Sequence, residues 1–121
     1  MAYYYSVRGW LEADSETFEA ATRLIERRRQ AASDQQEALY LQGWTWSAAG
    51  VNWTRYLFYG ADVQEDGLDL LRALLDELCA LEGELDGYLR VTGEDGQRNL
   101  DFEISDDAVS EVRLTPPAAR N

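Results

Sequence analysis

Leu68-Asp69-Leu70-Leu71-Arg72-Ala73-Leu74-Leu75-Asp76-Glu77-Leu78-Cys79-Ala80-Leu81 carries the clearest periodic signal in this chain. Its leucines at 68, 71, 74, 75, 78 and 81 recur with the spacing of one wide helical face. Such a face needs a partner layer, and strand-like segments flank it on both sides. Upstream, about Asn52 to Tyr59 reads as a strand, followed by an acidic loop from Gly60 to Gly67. Its alternation puts Trp53, Arg55, Leu57 and Tyr59 opposite Tyr56 and Phe58, so its core side stays ambiguous. Downstream, Gly83 supplies a helix stop, and a strand is expected over about Gly87 to Thr92. Glu94-Asp95-Gly96 marks a tight hairpin into Asn99 to Ile104, where Leu100, Phe102 and Ile104 alternate with polar residues. Val112-Arg113-Leu114 adds a short final strand.

The N-terminal half repeats the pattern. A strand from Ala2 to Leu11 places Tyr3, Tyr5, Val7 and Leu11 against Tyr4, Ser6, Arg8 and Trp10. Asp14-Ser15-Glu16 opens a helix that runs to about Ala32, with Phe18, Ala21, Leu24, Ile25 and Ala32 as its stripe. Arg27, Arg28 and Arg29 read as a solvated helix end, because adjacent helix residues diverge. After the polar connection Ser33 to Glu37, a second strand is expected over about Ala38 to Ser47. It would set Leu39, Leu41, Gly43 and Thr45 against Tyr40, Gln42, Trp44 and Trp46. Ala48-Ala49-Gly50 suggests a turn, and Pro116-Pro117 a loose tail over 116–121.

The order predicts an α+β fold in one domain over 1–115. It is a ferredoxin-like β-α-β-β-α-β antiparallel sheet with two helices on one face and an added C-terminal hairpin strand. The opposite face then lacks a cover. Tyr4, Arg8, Trp10, Tyr40, Gln42, Trp44, Trp46, Tyr88 and Arg90 are the candidates for it. An exposed aromatic surface points to a partner.

Composition narrows that partner. The chain has 121 residues, a length suited to one domain, and 45% are hydrophobic, enough for a core without staples. Net charge is -12, from 23 acidic and 11 basic residues. Every basic side chain is arginine. This field repels phosphate backbones and anionic lipid, which weighs against nucleic acid and membrane, and it steers basic proteins in. No window has the apolar length of a membrane span, and Met1-Ala2-Tyr3 does not begin a signal peptide, so a cytoplasmic protein is expected.

Reactive chemistry is thinly supplied. There is no histidine, and Cys79 is a single cysteine inside the leucine-rich helix. Histidine-dependent triads, imidazole ligands and cysteine-based zinc sites are thereby excluded. Walker and dinucleotide glycine patterns are absent. Asp62, Glu65, Asp66 and Asp69 form the densest acidic cluster, but their spacing is not that of a calcium loop. No catalytic residue, metal or cofactor is expected. Arg8, Arg55 and Arg90 lie among strand aromatics, as interface anchors or as internal packing.

The run Tyr3-Tyr4-Tyr5-Ser6-Val7-Arg8-Gly9-Trp10-Leu11-Glu12, with Gly43-Trp44 and Asn52-Trp53-Thr54-Arg55-Tyr56-Leu57-Phe58-Tyr59-Gly60-Ala61-Asp62-Val63, resembles small bacterial immunity proteins of polymorphic or contact-dependent toxin systems. The resemblance extends through strand three and continues less distinctly through the leucine helix. It implies a noncatalytic cytoplasmic protein that binds and neutralises one cognate toxin, and it carries no catalytic motif. The residues expected to contact such a toxin are Arg8, Trp10, Trp44, Trp46 and Asp62. Two other readings stand beside it. One is a ferredoxin-like small-ligand binder or monooxygenase-type enzyme. The other is a structural homo-oligomer, such as a homodimer whose aromatic faces bury each other.

Overall fold

The computed structural model describes residues 2–47, 53–105 and 107–114. Nine elements follow in order: β1 (Tyr5–Ala13), α1 (Ser15–Ala31), α2 (Gln35–Leu41), β2 (Trp44–Trp46), β3 (Arg55–Val63), α3 (Glu65–Cys79), β4 (Leu85–Gly93), β5 (Asn99–Ser105) and β6 (Ala108–Leu114). The six strands form one sheet in the order β2-β3-β1-β4-β5-β6, with every neighbouring pair antiparallel. The fold is α+β, with three helices where two were expected. The turn expected at Ala48-Ala49-Gly50 and the tail at 116–121 lie outside the described residues.

Helix α1 starts where its cap was expected: the Asp14 carboxylate accepts the Thr17 backbone N–H at 2.8 Å. That bond holds the Asp14 carboxyl below its ordinary pKa range. Phe18, Ala21, Leu24 and Ile25 bury most of the predicted stripe, whereas Ala32 is the half-buried C-cap residue just past the helix. Helix α3 buries Leu68, Leu71, Leu74, Leu75 and Leu78 against the same side of the sheet, where Leu11, Leu57, Leu89 and Phe102 point. Cys79 is buried beside them, and its thiol is pushed up by desolvation and by Asp76 and Asp107. The Glu94-Asp95-Gly96 hairpin forms as read. Gly96 adopts φ 74°, and its N–H closes the turn onto the Gly93 carbonyl at 2.8 Å.

Three expectations need correction. The first concerns the strand expected over Ala38 to Ser47. Residues Gln35–Leu41 are helical, and only Trp44–Trp46 pair into the sheet. Asp34 caps this helix, its Oδ1 accepting the Glu37 N–H at 2.7 Å. Tyr40 and Leu41 turn into the core while Leu39 stands 64% exposed, which a two-residue alternation cannot produce. Tyr40 therefore leaves the expected outer face, and Gln42 becomes the C-cap residue of α2.

Second, the acidic loop at Gly60 to Gly67 is not a loop. β3 runs on to Val63, pairing Tyr5↔Val63 through Ala13↔Arg55 with the full length of β1, and α3 begins at Glu65. Val63 is fully buried, so the strand gains an apolar anchor beyond Gly60. Third, the last strand is a seven-residue element paired along the whole of β5.

The C-terminal end of α1 also differs from a solvated helix end. Arg28 pairs with Glu77 of α3. Arg29 donates to the Leu41 carbonyl at 3.1 Å and to the Trp44 carbonyl, and its guanidinium lies 5.0 Å from the Trp46 ring. One arginine thus ties α1 to the end of α2 and to β2.

Candidate functional site: the uncovered face of the sheet

Strand alternation sends half of each central strand away from the helices. The outward residues are Ser6, Arg8, Trp10 and Glu12 on β1; Tyr56, Phe58, Gly60 and Asp62 on β3; and Asp86, Tyr88, Arg90 and Thr92 on β4. The register lines them up across the sheet. Phe58, Trp10 and Tyr88 form one row, continued by Thr45 on β2 and Glu103 on β5. Gly60, Arg8, Arg90, Asp101 and Val112 form the next.

No described helix covers this face. Trp10 is 40% exposed, Tyr56 45% and Phe58 53%, values that a second layer would abolish. The rings order one another instead. Trp10 and Tyr88 have centroids 5.8 Å apart, and Tyr56 stacks on Phe58 at 6.2 Å with planes 21° apart. Close strand approach fixes the Trp10–Tyr88 pair. A side chain at Gly9 would collide with the Tyr88 carbonyl oxygen, so the backbones of β1 and β4 meet there only because residue 9 has none.

A hydrogen-bonded ring of polar groups borders the aromatic row. Arg90 donates to Asp101 at 3.1 Å and to the Tyr88 hydroxyl at 2.8 Å, and that hydroxyl donates to the other Asp101 oxygen at 2.5 Å. Burial pushes the Asp101 pKa up, but the bonds from Arg90 and Tyr88 outweigh it and hold the carboxyl below its ordinary range. The same bond to Asp101, with some desolvation, raises the Tyr88 phenol.

Both ends of the face are acidic. At one end a shallow depression is lined by Tyr4, Ser6, Asp62, Thr92, Gly93 and Glu94. At the other, a depression is lined by Glu12, Ala13, Asp14, Thr54, Glu84 and Asp86. The surface therefore has an aromatic and arginine centre between two negatively charged rims.

The five residues named from sequence divide. Arg8 and Trp10 meet at the centre, and Asp62 lies on the same face at one acidic end. Trp44 and Trp46 face the helices, so their expected place on the open face is corrected. The β2–β3 register sets Trp44 opposite inward Tyr59 and Trp46 opposite inward Leu57, leaving Thr45 outward. Trp44 is 1% exposed, its ring 4.8 Å from that of Tyr59. Burial raises the Tyr59 phenol far above its ordinary pKa, and its hydroxyl donates to the Tyr40 carbonyl at 2.9 Å.

Tyr56 and Phe58 were not among the named residues. Reading β3 on to Val63 would have shown Leu57, Tyr59, Ala61 and Val63 as one apolar series and thrown Tyr56 and Phe58 outward. The acidic cluster disperses: Glu65 accepts from Tyr5 at 2.8 Å, Asp66 from Tyr40 at 3.4 Å, and Asp69 pairs with Arg72 at 2.9 Å. Among the described residues no group of three or more histidine, cysteine, aspartate or glutamate side chains is placed to hold a metal. No described helix is long and apolar enough to cross a membrane.

No family model, curated protein or solved structure matches the chain.

Proposed function

We propose that this chain is a noncatalytic immunity protein that binds and neutralises a cognate bacterial toxin through the open face of its sheet. The observation that carries the reading is the Phe58–Trp10–Tyr88 row, exposed at its centre and bounded by acidic groups at both ends. Aromatic side chains and arginine are the residues that dominate binding energy at protein interfaces, and they concentrate at the centre of the contact. The acidic rims and the net charge of -12 suit a toxin with a basic surface by speeding its approach. Arg8, Trp10 and Asp62 remain contact residues in this proposal, joined by Tyr56, Phe58 and Tyr88. Trp44 and Trp46 act behind the face as its support.

The ferredoxin-like reading of the fold belongs to this proposal. The order β2-β3-β1-β4 with antiparallel neighbours supports it, and β5, β6 and the short α2 are additions to that plan. A cytoplasmic location is part of the same proposal.

Co-expression with the product of the neighbouring gene tests the proposal. Wild-type chain is expected to protect the host and to be recovered with that product, with association slowing as salt rises. Protection that is unaffected by deleting this gene would count against it. A chain that is dimeric alone, with Trp10 sealed between copies, would favour the homo-oligomer.

A further inference from the structure

Arg8 and Arg90 stand opposite each other in the β1–β4 register, two like charges on facing positions. Such a pair repels unless each charge is met. Arg90 is met by Asp101 and Tyr88. Asp101 is 6% exposed and held by those two groups, so it does not also serve Arg8. The Arg8 guanidinium is exposed and makes no ion pair or hydrogen bond with the described residues. On its other flank lies Gly60, where an added side chain would meet nothing within 4 Å. Arg8 thus borders open space on one side and, on the other, a shallow depression lined with Gly9, Trp10, Tyr88 and Arg90.

We propose that this depression is a subsite for a carboxylate carried by the partner protein, an aspartate or glutamate side chain seated on Arg8 with its methylene stem against Trp10. The inference rests on the function proposed above and names the partner's chemistry. A guanidinium presents a planar fork that matches a carboxylate. A doubly charged phosphate would be repelled more strongly by the acidic groups at both ends of the face. A free metabolite needs a site that encloses most of its surface. This one is open, and a carboxylate held there gains its remaining contacts only as part of a larger surface. The partner's face is therefore acidic at its centre and basic around it.

The test uses sodium benzoate as the probe and neutral benzamide as its isostere, titrated into the isotopically labelled full chain. Benzoate is expected to bind in the millimolar range, moving the Arg8 side-chain Nε–H and Trp10 indole resonances. Benzamide and the Arg8→Gln variant are expected to respond at least about tenfold more weakly, and Arg8→Lys to fall between, because it keeps the charge without the fork. Equal responses to benzoate and benzamide, or a benzoate response retained in Arg8→Gln, would overturn the subsite. In toxin capture, Arg8→Glu is expected to weaken binding by about 30-fold or more. Unchanged capture by Arg8→Glu, with Trp10→Ala deficient, overturns the subsite and leaves the proposed function standing. Capture indifferent to both variants, with the benzoate response intact, sinks the proposed function and removes the partner from the subsite.

Discussion

Trp10 and Trp44 sit in sequence segments that look alike, each a short aromatic run with a glycine immediately before the indole. Their fates are opposite. Trp10 is 40% exposed on the uncovered face, and Trp44 is 1% exposed beneath the helices. Local composition does not separate them. The separation comes from register. Trp10 faces Phe58 and Tyr88 across the sheet, both outward, whereas Trp44 faces Tyr59, which is inward. One sheet therefore uses the same residue type for cohesion on one side and leaves it partly in solvent on the other.

The largest effect expected from this contrast is at Trp44. Trp44→Ala opens a cavity against Tyr59 and should cost about 3–5 kcal/mol in chemical denaturation. Trp10→Ala should leave stability within about 1 kcal/mol, because its ring is already partly in water. A benign Trp44→Ala would break the comparison. Next comes Arg29. Arg29→Ala strips the Leu41 and Trp44 carbonyls of their donor and should destabilise by about 1–3 kcal/mol. The loss should appear as faster hydrogen exchange around β2, and uniform exchange would contradict the tie.

Asp34→Ala should lower stability by about 1 kcal/mol through loss of the α2 cap, with reduced helical circular dichroism. If Gln35–Leu41 were extended instead, this substitution would be silent. The smallest effect is pH-dependent. Asp101 has a folded pKa below its unfolded value, which is near 3.9. Its contribution is complete above that unfolded value and fades as pH falls through the lower folded one. Since Arg90 is half in solvent, less than about 1 kcal/mol is expected. Tyr88 and Arg90 side-chain resonances should shift together below about pH 4, and Asp101→Asn should abolish that shift.

Which features could be read in advance depends on pattern length. The leucine series of α3 spans several turns, and Leu100, Phe102 and Ile104 alternate without interruption, so period alone identifies both. Gln35–Leu41 is too short to choose between periods. Leu39, Tyr40 and Leu41 fit either, and the discriminating signal was the cap pair Asp34 and Glu37 rather than the apolar residues. Gly60 interrupted β3 in sequence but not in space, which hid the inward series ending at Val63. Of the open face, Arg8 and Trp10 were legible because Val7 and Leu11 fix the sidedness of β1. Phe58 was not, since Tyr56 and Phe58 are as apolar as Leu57 and Tyr59. The sidedness of Trp44 and Trp46 follows only from pairing with β3, which no local pattern encodes.

The central claim is that the uncovered aromatic face is for recognition and not for stability. It is tested most directly by titrating the product of the neighbouring gene, the proposed toxin, into wild-type chain and into a Trp10→Ala, Phe58→Ala double variant, with an unfolding curve for each. Unfolding that stays close to wild type, together with binding weakened by about a hundredfold or more, is the predicted result. Undiminished affinity in a variant that remains folded would contradict the account.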